Sequence, residues 1–211
     1  MYKKAQFSVW NGLWLVLFAY SCLLMIEITW RYHGFTLDAN FLMIKQTEVD
    51  GIWWYRYAFY AHVCSAVLAL PAGFTQFNSY LLKNFPRLHR GIGYLYVFSI
   101  LGCAAPSGLL IGAVANGGLS SVISFELLGI GWFYFTWRGV RSAVQQKFNV
   151  HRNFMIRSFA LTCSAITLRF WKVLLVYLFH PNPMDVYQII AWLGWVPNLL
   201  LAEYIIYRKK E

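Results

Sequence analysis

Residues 154–179 read FMIRSFALTCSAITLRFWKVLLVYLF, an apolar run whose charged residues are Arg157, Arg169 and Lys172. A helix needs ~20 largely apolar residues to cross a bilayer, so this stretch is long enough to span a membrane. The whole chain has a matching composition, with 59% hydrophobic and only 12% charged residues and a mean hydropathy of +0.50. Soluble domains carry ~25% charged residues. The composition therefore excludes a disordered chain, a small secreted domain and a soluble nucleic-acid binder.

Six stretches of the chain are long and apolar enough to be transmembrane helices. They are Phe7–Trp30, Tyr55–Leu82, His89–Val114, Leu119–Arg138, Phe154–Phe179 and Val186–Tyr207. We therefore predict an all-α polytopic membrane protein, with a single transmembrane domain over residues 1–211 that forms a bundle of six helices. Pro71 and Pro106 lie inside two of these stretches and predict local irregularities of the helix.

The distribution of basic residues predicts the orientation of the bundle. With six spans, the two termini and the second and fourth loops share one side of the membrane. That side carries thirteen basic residues: Lys3, Lys4, Lys83, Arg87, Arg90, Arg138, Arg141, Lys147, Arg152, Arg157, Arg208, Lys209 and Lys210. The other side carries Arg31, Lys45 and Arg56, with Asp38 among its acids. By the positive-inside rule both termini are cytoplasmic, and anionic lipid headgroups are the expected partners of the basic face. The net charge of +10 then requires no nucleic acid.

The cysteines and the sequence motifs exclude several kinds of chemistry. All four cysteines lie in apolar stretches without CxxC or Cys/His spacing, which favours free thiols over a disulfide or a zinc site. Walker, HExxH, nucleophile-elbow and Gly-rich nucleotide motifs are absent from the sequence, so a hydrolase is not expected. Whether the chain is an enzyme is left open by its sequence.

Ionisable residues inside the predicted spans form a first candidate site. His62 and Glu126 lie ~10 Å from the outer surface, and Arg169 and Lys172 lie in the same half of the membrane. Charged groups in the hydrocarbon core are costly and indicate function. We expect an intramembrane polar site of His62, Glu126 and Arg169, with Glu126 as the counter-ion of Arg169. A purely structural Arg169–Glu126 pair or a structural hydrogen bond of His62 is the alternative.

Two His-Arg pairs form a second candidate site at the cytoplasmic side. His89-Arg90 opens one span and His151-Arg152 precedes another, with Arg157 further in and Glu203 near the end of the last span. Facing histidines in a helix bundle hold b-type haem, and arginines suit its propionates. His89 and His151 are thus candidate iron ligands, and Arg90, Arg152 and Arg157 candidate cofactor-binding residues. The same set suits a quinone headgroup or a phosphate, and the histidines could instead be helix caps or interfacial groups.

Three stretches of the sequence resemble a known family. They are HRGIGYLYVFSILG at 89–102, the span from Phe125-Glu126 to Trp137, and HRNFMIRSFALTCSAITLRFWKVLL at 151–175. The HRxxGxxY and HRxxMxRSxA patterns are similar to those of the bacterial membrane proteins of domain-of-unknown-function family 2306. The resemblance covers about residues 55–175 and implies a bacterial inner membrane. The helix and histidine layout is also similar to that of transmembrane b-type cytochromes, an analogy at the level of the fold.

Three functional hypotheses follow. The first is an electron-transfer protein with haem b between His89 and His151, which exchanges electrons with a quinone or a partner redox protein. The second is a haem-free binding or transport protein, proton-coupled through His62 and Glu126. The third is an accessory membrane subunit. The sequence leaves the oligomeric state undetermined.

Overall fold

The structure is a computed structural model that describes residues 9–36 and 40–209. These residues form helices and no strand. The α-helices are α1 Val9–Trp30, α2 Gln46–Gly51, α3 Tyr55–Gln76, α4 Ser79–Asn84, α5 Pro86–Phe98, α6 Ala105–Gly112, α7 Gly118–Val144, α8 Phe148–Thr162, α9 Ser164–Phe179, α10 Pro183–Leu193 and α11 Val196–Arg208. A 3₁₀ helix over Asn40–Lys45 precedes α2, and a π-helical segment over Ser99–Ala104 joins α5 to α6.

Five helical stretches are long and apolar enough to cross a membrane, which confirms the all-α membrane fold. They are Tyr55–Gln76, Pro86–Gly112, Gly118–Val144, Phe148–Phe179 and Met184–Arg208, called the second to sixth spans below. The first helix adds a shorter apolar segment, Leu15–Trp30. A bundle of six spans with cytoplasmic termini stays a prediction. Several residues used for it lie outside the described residues: Lys3, Lys4, Phe7, Asp38 and Lys210.

The second span is shorter than its hydropathy predicts. It ends at Gln76 rather than Leu82, and the short helix α4 follows. The reason is a helix cap, because Asn78 Oδ1 accepts hydrogen bonds from the backbone N–H groups of Tyr80 at 2.9 Å and Leu81 at 3.2 Å. Such a cap satisfies N–H groups that have no partner inside the helix, and so it starts a new helix.

The third span is irregular where its proline predicts. Pro106 has no N–H to donate to the preceding turn, and the residues just before it, Ser99–Ala104, adopt π-helical geometry. The widened turn changes which backbone carbonyls remain available to neighbouring helices. Pro71, by contrast, lies inside the continuous helix α3.

The fifth and sixth spans are each interrupted, and the two interruptions are joined. One break lies at Cys163 and the other at Gly194-Trp195. Thr167 Oγ1 donates a hydrogen bond to the Gly194 carbonyl, while Asn198 Nδ2 donates to Thr167 Oγ1 at 2.9 Å and to the Ala160 carbonyl at 3.2 Å. These bonds satisfy backbone groups that a broken helix would otherwise expose to lipid.

Two buried clusters hold the spans together. The larger cluster contains Ala69, Ala72, Tyr96, Ile100, Ala104, Ala105, Trp132, Met155 and Leu161 and joins the second to fifth spans. The smaller cluster, Tyr32, Leu42, Tyr55, Phe59 and Tyr60, packs residues 31–36 and 40–54 onto the start of α3. We call the end of the bundle that contains this smaller cluster the loop-one end. The opposite end, at residues 77–90 and 145–152, is called the basic end.

Candidate functional site

His62 is held by the irregular part of the third span. Its Nδ1 lies 2.8 Å from the carbonyl oxygen of Ala104, the last residue of the π-helical segment. A carbonyl only accepts, so Nδ1 carries the proton and Nε2 is the acceptor of the neutral ring. The π-helical turn before Pro106 thus orients the histidine that the sequence analysis singled out.

Two glycines place His62 and Glu126 against the same helix. A Cβ at Gly108 would lie 3.0 Å from His62 Nδ1, and a Cβ at Gly112 would lie 3.0 Å from Glu126 Oε1. The two glycines are four residues apart in α6, so they share one face of the helix and differ by about one turn. The structure therefore packs His62 of α3 and Glu126 of α7 against neighbouring turns of the third span.

Glu126 does not form the ion pair that we predicted. Its Oε1 is buried and has no hydrogen-bond partner, and no Glu126–Arg169 pair occurs among the ion pairs of residues 9–36 and 40–209. Arg169 instead folds back along its own helix, and its Nη1 donates to the Ala165 carbonyl at 2.6 Å. The guanidinium still lies within electrostatic range of His62 and of Tyr32. Lys172 is exposed and takes no part in the site.

Lys45 is a buried polar residue of this end that the sequence analysis treated only as a loop charge. Lys45 is only 2% exposed. Its Nζ donates one hydrogen bond of 2.5 Å to Glu48 Oε1 and another of 2.5 Å to the carbonyl of Val114. Val114 follows the end of α6, so Lys45 fastens the first loop to the third span. The spacing of Lys45 and Glu48 suits an i,i+3 pair, but nothing in it indicates the contact with Val114.

A buried hydroxyl network joins the third, fourth and fifth spans. Tyr96 Oη lies 2.7 Å from Ser158 Oγ and 2.9 Å from Thr162 Oγ1. Thr136 Oγ1 lies 2.7 Å from Ser158 Oγ, and Trp132 Nε1 donates to Thr162 Oγ1 at 3.0 Å. Side-chain hydrogen bonds between helices are one of the forces that hold transmembrane helices together. Sequence reasoning missed this network, because isolated Ser and Thr residues in apolar spans are common.

The two histidines of the basic end lie on different helices, α5 and α8. They are close enough for the charge of His151 to act on His89. His151 Nδ1 lies 2.8 Å from the Gly139 carbonyl, so it donates and leaves Nε2 free. His89 Nδ1 is buried and has no hydrogen-bond partner. The pair thus offers two ring nitrogens to a further group.

The arginines predicted around these histidines differ in their surroundings. Arg157 makes a two-pronged ion pair with Glu203, with Nε to Oε1 at 2.5 Å and Nη2 to Oε2 at 2.7 Å. The ion pair with Glu203 occupies two of the three guanidinium nitrogens of Arg157. This argues against the prediction that Arg157 binds a haem propionate. Arg90 and Arg152 are exposed. Arg152 lies near Lys209, where burial lowers the pKa of the lysine ammonium and the arginine charge lowers it further.

The histidines of the basic end are not part of a larger set of metal-binding side chains. No group of three or more His, Cys, Asp or Glu side chains that could hold a metal ion occurs in the described part of the chain. If a haem b is bound here, His89 and His151 are the residues that would hold it. The unpartnered Nδ1 of His89 would equally suit a hydrogen bond to a quinone carbonyl.

Comparisons with known proteins agree with the resemblance noted from the sequence. A family model described as "Predicted membrane protein (DUF2306)" matches residues 59–206. The match extends past the segment of about 55–175 that carried the resemblance and includes the sixth span. Neither the curated proteins nor the solved structures gave a match. The chain therefore belongs to the DUF2306 family of membrane proteins.

Proposed function

We propose that the loop-one end holds a haem-free binding site that exchanges a proton with its ligand, built from His62, Glu126 and Arg169. The observation that carries this proposal is the buried Oε1 of Glu126, which has no hydrogen-bond partner although it lies inside the membrane-spanning bundle. A buried polar group left unpaired costs roughly 1–3 kcal/mol, more when it is charged. A ligand that supplies the missing donor offsets this cost.

The neighbours of Glu126 support the same function. The His62 ring packs about one turn of α6 away, and Arg169 contributes a positive charge that makes no ion pair with Glu126. A carboxyl and an imidazole side by side can each take up or release a proton near neutral pH when their surroundings adjust them. Binding or transport coupled to protons is the activity that such a set performs best.

Infrared titration tests this proposal. Purified protein in lipid is titrated from about pH 5 to about pH 9, and the band of the protonated carboxyl is followed. We expect a titrating band that disappears in Glu126→Gln and persists in Glu27→Gln, a matched control whose acid pairs with Arg31 at the surface. We also expect the titration midpoint to move when Arg169 is replaced by Gln. A carboxyl spectrum that is identical in wild type and Glu126→Gln would overturn the proposal.

The basic end supports a second candidate function, electron transfer through haem b or a quinone at His89 and His151. The observation that supports it is a pair of histidines on different helices, one with an unpartnered Nδ1 and one with its ring oriented by the Gly139 carbonyl. Haem would supply one-electron chemistry, while His89 and His151 would hold it and the exposed Arg90 and Arg152 would offer positive charge to its propionates. A backbone carbonyl that fixes a histidine tautomer in this way is common for metal ligands.

An absorption spectrum tests the second candidate. Reduced-minus-oxidised spectra and pyridine haemochrome assays of protein from haem-replete cells should show about one haem per chain. His89→Ala and His151→Ala should each abolish the bands, whereas His33→Ala should leave them unchanged. A spectrum without these bands would exclude haem and leave the loop-one end as the functional site. We place either function in the inner membrane of a bacterium.

A further inference from the structure

Part of the first loop lies over the loop-one end of the bundle. We call residues 40–52, which comprise the 3₁₀ helix and α2, the lid. Leu42 is fully buried and Lys45 is 2% exposed, whereas Met43 and Ile44 between them are 62% and 64% exposed. The lid is therefore attached to the bundle along one of its sides.

The lid packs next to His62. The ring of Phe41 stacks on the ring of Phe59 in α3, with their centroids 5.9 Å apart and their planes at 13°. Phe59 precedes His62 by three residues, so it lies on the same face of α3, about one turn nearer to the loop-one end. Val63, which directly follows His62, packs against the buried cluster that contains Leu42. The lid thus covers the part of α3 that leads to His62.

The lid is also fastened beside the packing position of Glu126. Lys45 Nζ donates its 2.5 Å hydrogen bond to the carbonyl of Val114. Val114 lies two residues after Gly112, and a Cβ at Gly112 would lie 3.0 Å from Glu126 Oε1. Ile111, on the other side of Gly112, packs against the same buried cluster as Val63. The lid therefore covers the turn of the third span on which Glu126 packs.

A third contact links the lid to the surroundings of Arg169. The backbone N–H of Phe41 donates a hydrogen bond to Tyr32 Oη at 3.2 Å. Tyr32 lies within electrostatic range of the Arg169 guanidinium. Each residue of the proposed site thus has a neighbour that the lid contacts.

We propose that the lid closes the site of His62, Glu126 and Arg169 to water at the loop-one end, and that protons and ligand enter there when the lid opens. The inference rests on the proposed function of that site and adds its regulation. Helices of six residues are not stable alone, so the lid is held in place by its contacts with the bundle. Local opening of such a segment costs less free energy than unfolding the spans beneath it.

Lys45 and Glu48 hold the lid closed. The Lys45 side chain is 1% exposed, and Glu48 is its counter-ion. A buried charge that loses its partner is strongly destabilising, so Glu48→Gln favours the open lid. Lys45→Met favours it as well, because the bonds to Glu48 and to the Val114 carbonyl are lost. Neither substitution alters a residue of the proposed site.

Deuterium exchange of the Glu126 carboxyl tests the inference. Protein in lipid is mixed with D₂O at a pH at which the infrared band that is lost in Glu126→Gln is present, and the rate at which this band shifts is measured. We expect at least about tenfold faster exchange in Lys45→Met and in Glu48→Gln than in wild type, since each loses a hydrogen bond to a charged group. Asp50→Asn is the matched control, because Asp50 is an exposed acid of α2, and it should exchange like wild type.

A second measurement does not depend on the Glu126 carboxyl. Backbone exchange over residues 108–114, followed by mass spectrometry, reports the access of water to the third span beneath the lid, and exchange over 155–162 reports the core of the bundle. We expect Lys45→Met and Glu48→Gln to accelerate the first and leave the second unchanged. Equal acceleration of both segments would overturn the inference, because the lid would then open only when the whole bundle unfolds.

The outcomes separate this inference from the proposed function. If the Glu126 carboxyl titrates but exchanges at one rate in wild type, Lys45→Met and Glu48→Gln, the inference is overturned and the proton-exchanging site stands. If no carboxyl band belongs to Glu126, the proposed function fails. Faster exchange over residues 108–114 in both lid variants would then still support closure of this end by the lid, and unchanged exchange there would overturn it.

Discussion

Tyr96 Oη and Ser158 Oγ lie 2.7 Å apart in the buried core of the bundle, and each follows a histidine by seven residues. Seven residues are close to two helical turns, so His89 lies below Tyr96 and His151 below Ser158 on the same helix faces. The contact in the core therefore fixes the register that places the two histidines of the basic end at matching depths.

Removing the Tyr96 hydroxyl should destabilise the bundle. Tyr96→Phe removes two buried hydrogen bonds, to Ser158 and Thr162, which keep their bonds to Thr136 and Trp132, and we expect a loss of about 1–3 kcal/mol of unfolding free energy. Tyr94→Phe is the control, because Tyr94 is 72% exposed. Thermal unfolding in mild detergent measures both. Equal stability of the two variants would show that the network contributes nothing.

Asn198 should matter for the stability of the fifth and sixth spans. Its amide bridges the two helix breaks through Thr167 and the Ala160 carbonyl, so Asn198→Leu removes these bonds and leaves only the Thr167–Gly194 bond between the breaks. We expect a loss of roughly 1–2 kcal/mol. Asn84→Leu removes only an exposed bond to the Tyr80 carbonyl and should cost less. An Asn198 variant as stable as the Asn84 variant would contradict this prediction.

Replacing Lys45 should loosen the first loop. Lys45→Met keeps most of the side-chain volume but removes the bonds to Glu48 and to the Val114 carbonyl. Hydrogen exchange should then become faster over residues 40–52, since their local opening costs less free energy. Lys83→Met, at an exposed position of the basic end, is the control. Unchanged exchange in Lys45→Met would mean that apolar packing alone holds the loop.

Arg152 should control the protonation of Lys209. Burial lowers the pKa of the Lys209 ammonium and the Arg152 charge lowers it further, so Arg152→Ala should raise this pKa. The sign follows because removing a neighbouring positive charge favours the protonated amine. NMR titration of isotopically methylated lysine measures the change. Arg141→Ala, whose guanidinium lies over the Trp137 ring, should leave it unchanged.

Much of the fold could be predicted because hydropathy is a local property of the chain. Apolar runs long enough to cross a bilayer predict the second to sixth spans, and Pro106 predicts the irregularity of the third span. Depth along each helix also follows from residue number, which is why His62 was placed near Glu126 and His89 near His151. These inferences need only the rise per residue and the direction of each span.

The chemistry of the sites was decided by tertiary structure. The rotation of each helix about its axis and the positions of its breaks determine which side chains meet. The spacing of residues in the sequence gives neither of these. Thus Arg169 binds a carbonyl of its own helix while Glu126 stays unpaired. Likewise Lys45 is buried against Val114, a contact between residues far apart in the sequence. The sequence by itself determined a multi-span membrane protein with two polar clusters, and only the packing of its helices decided which groups remain free to bind.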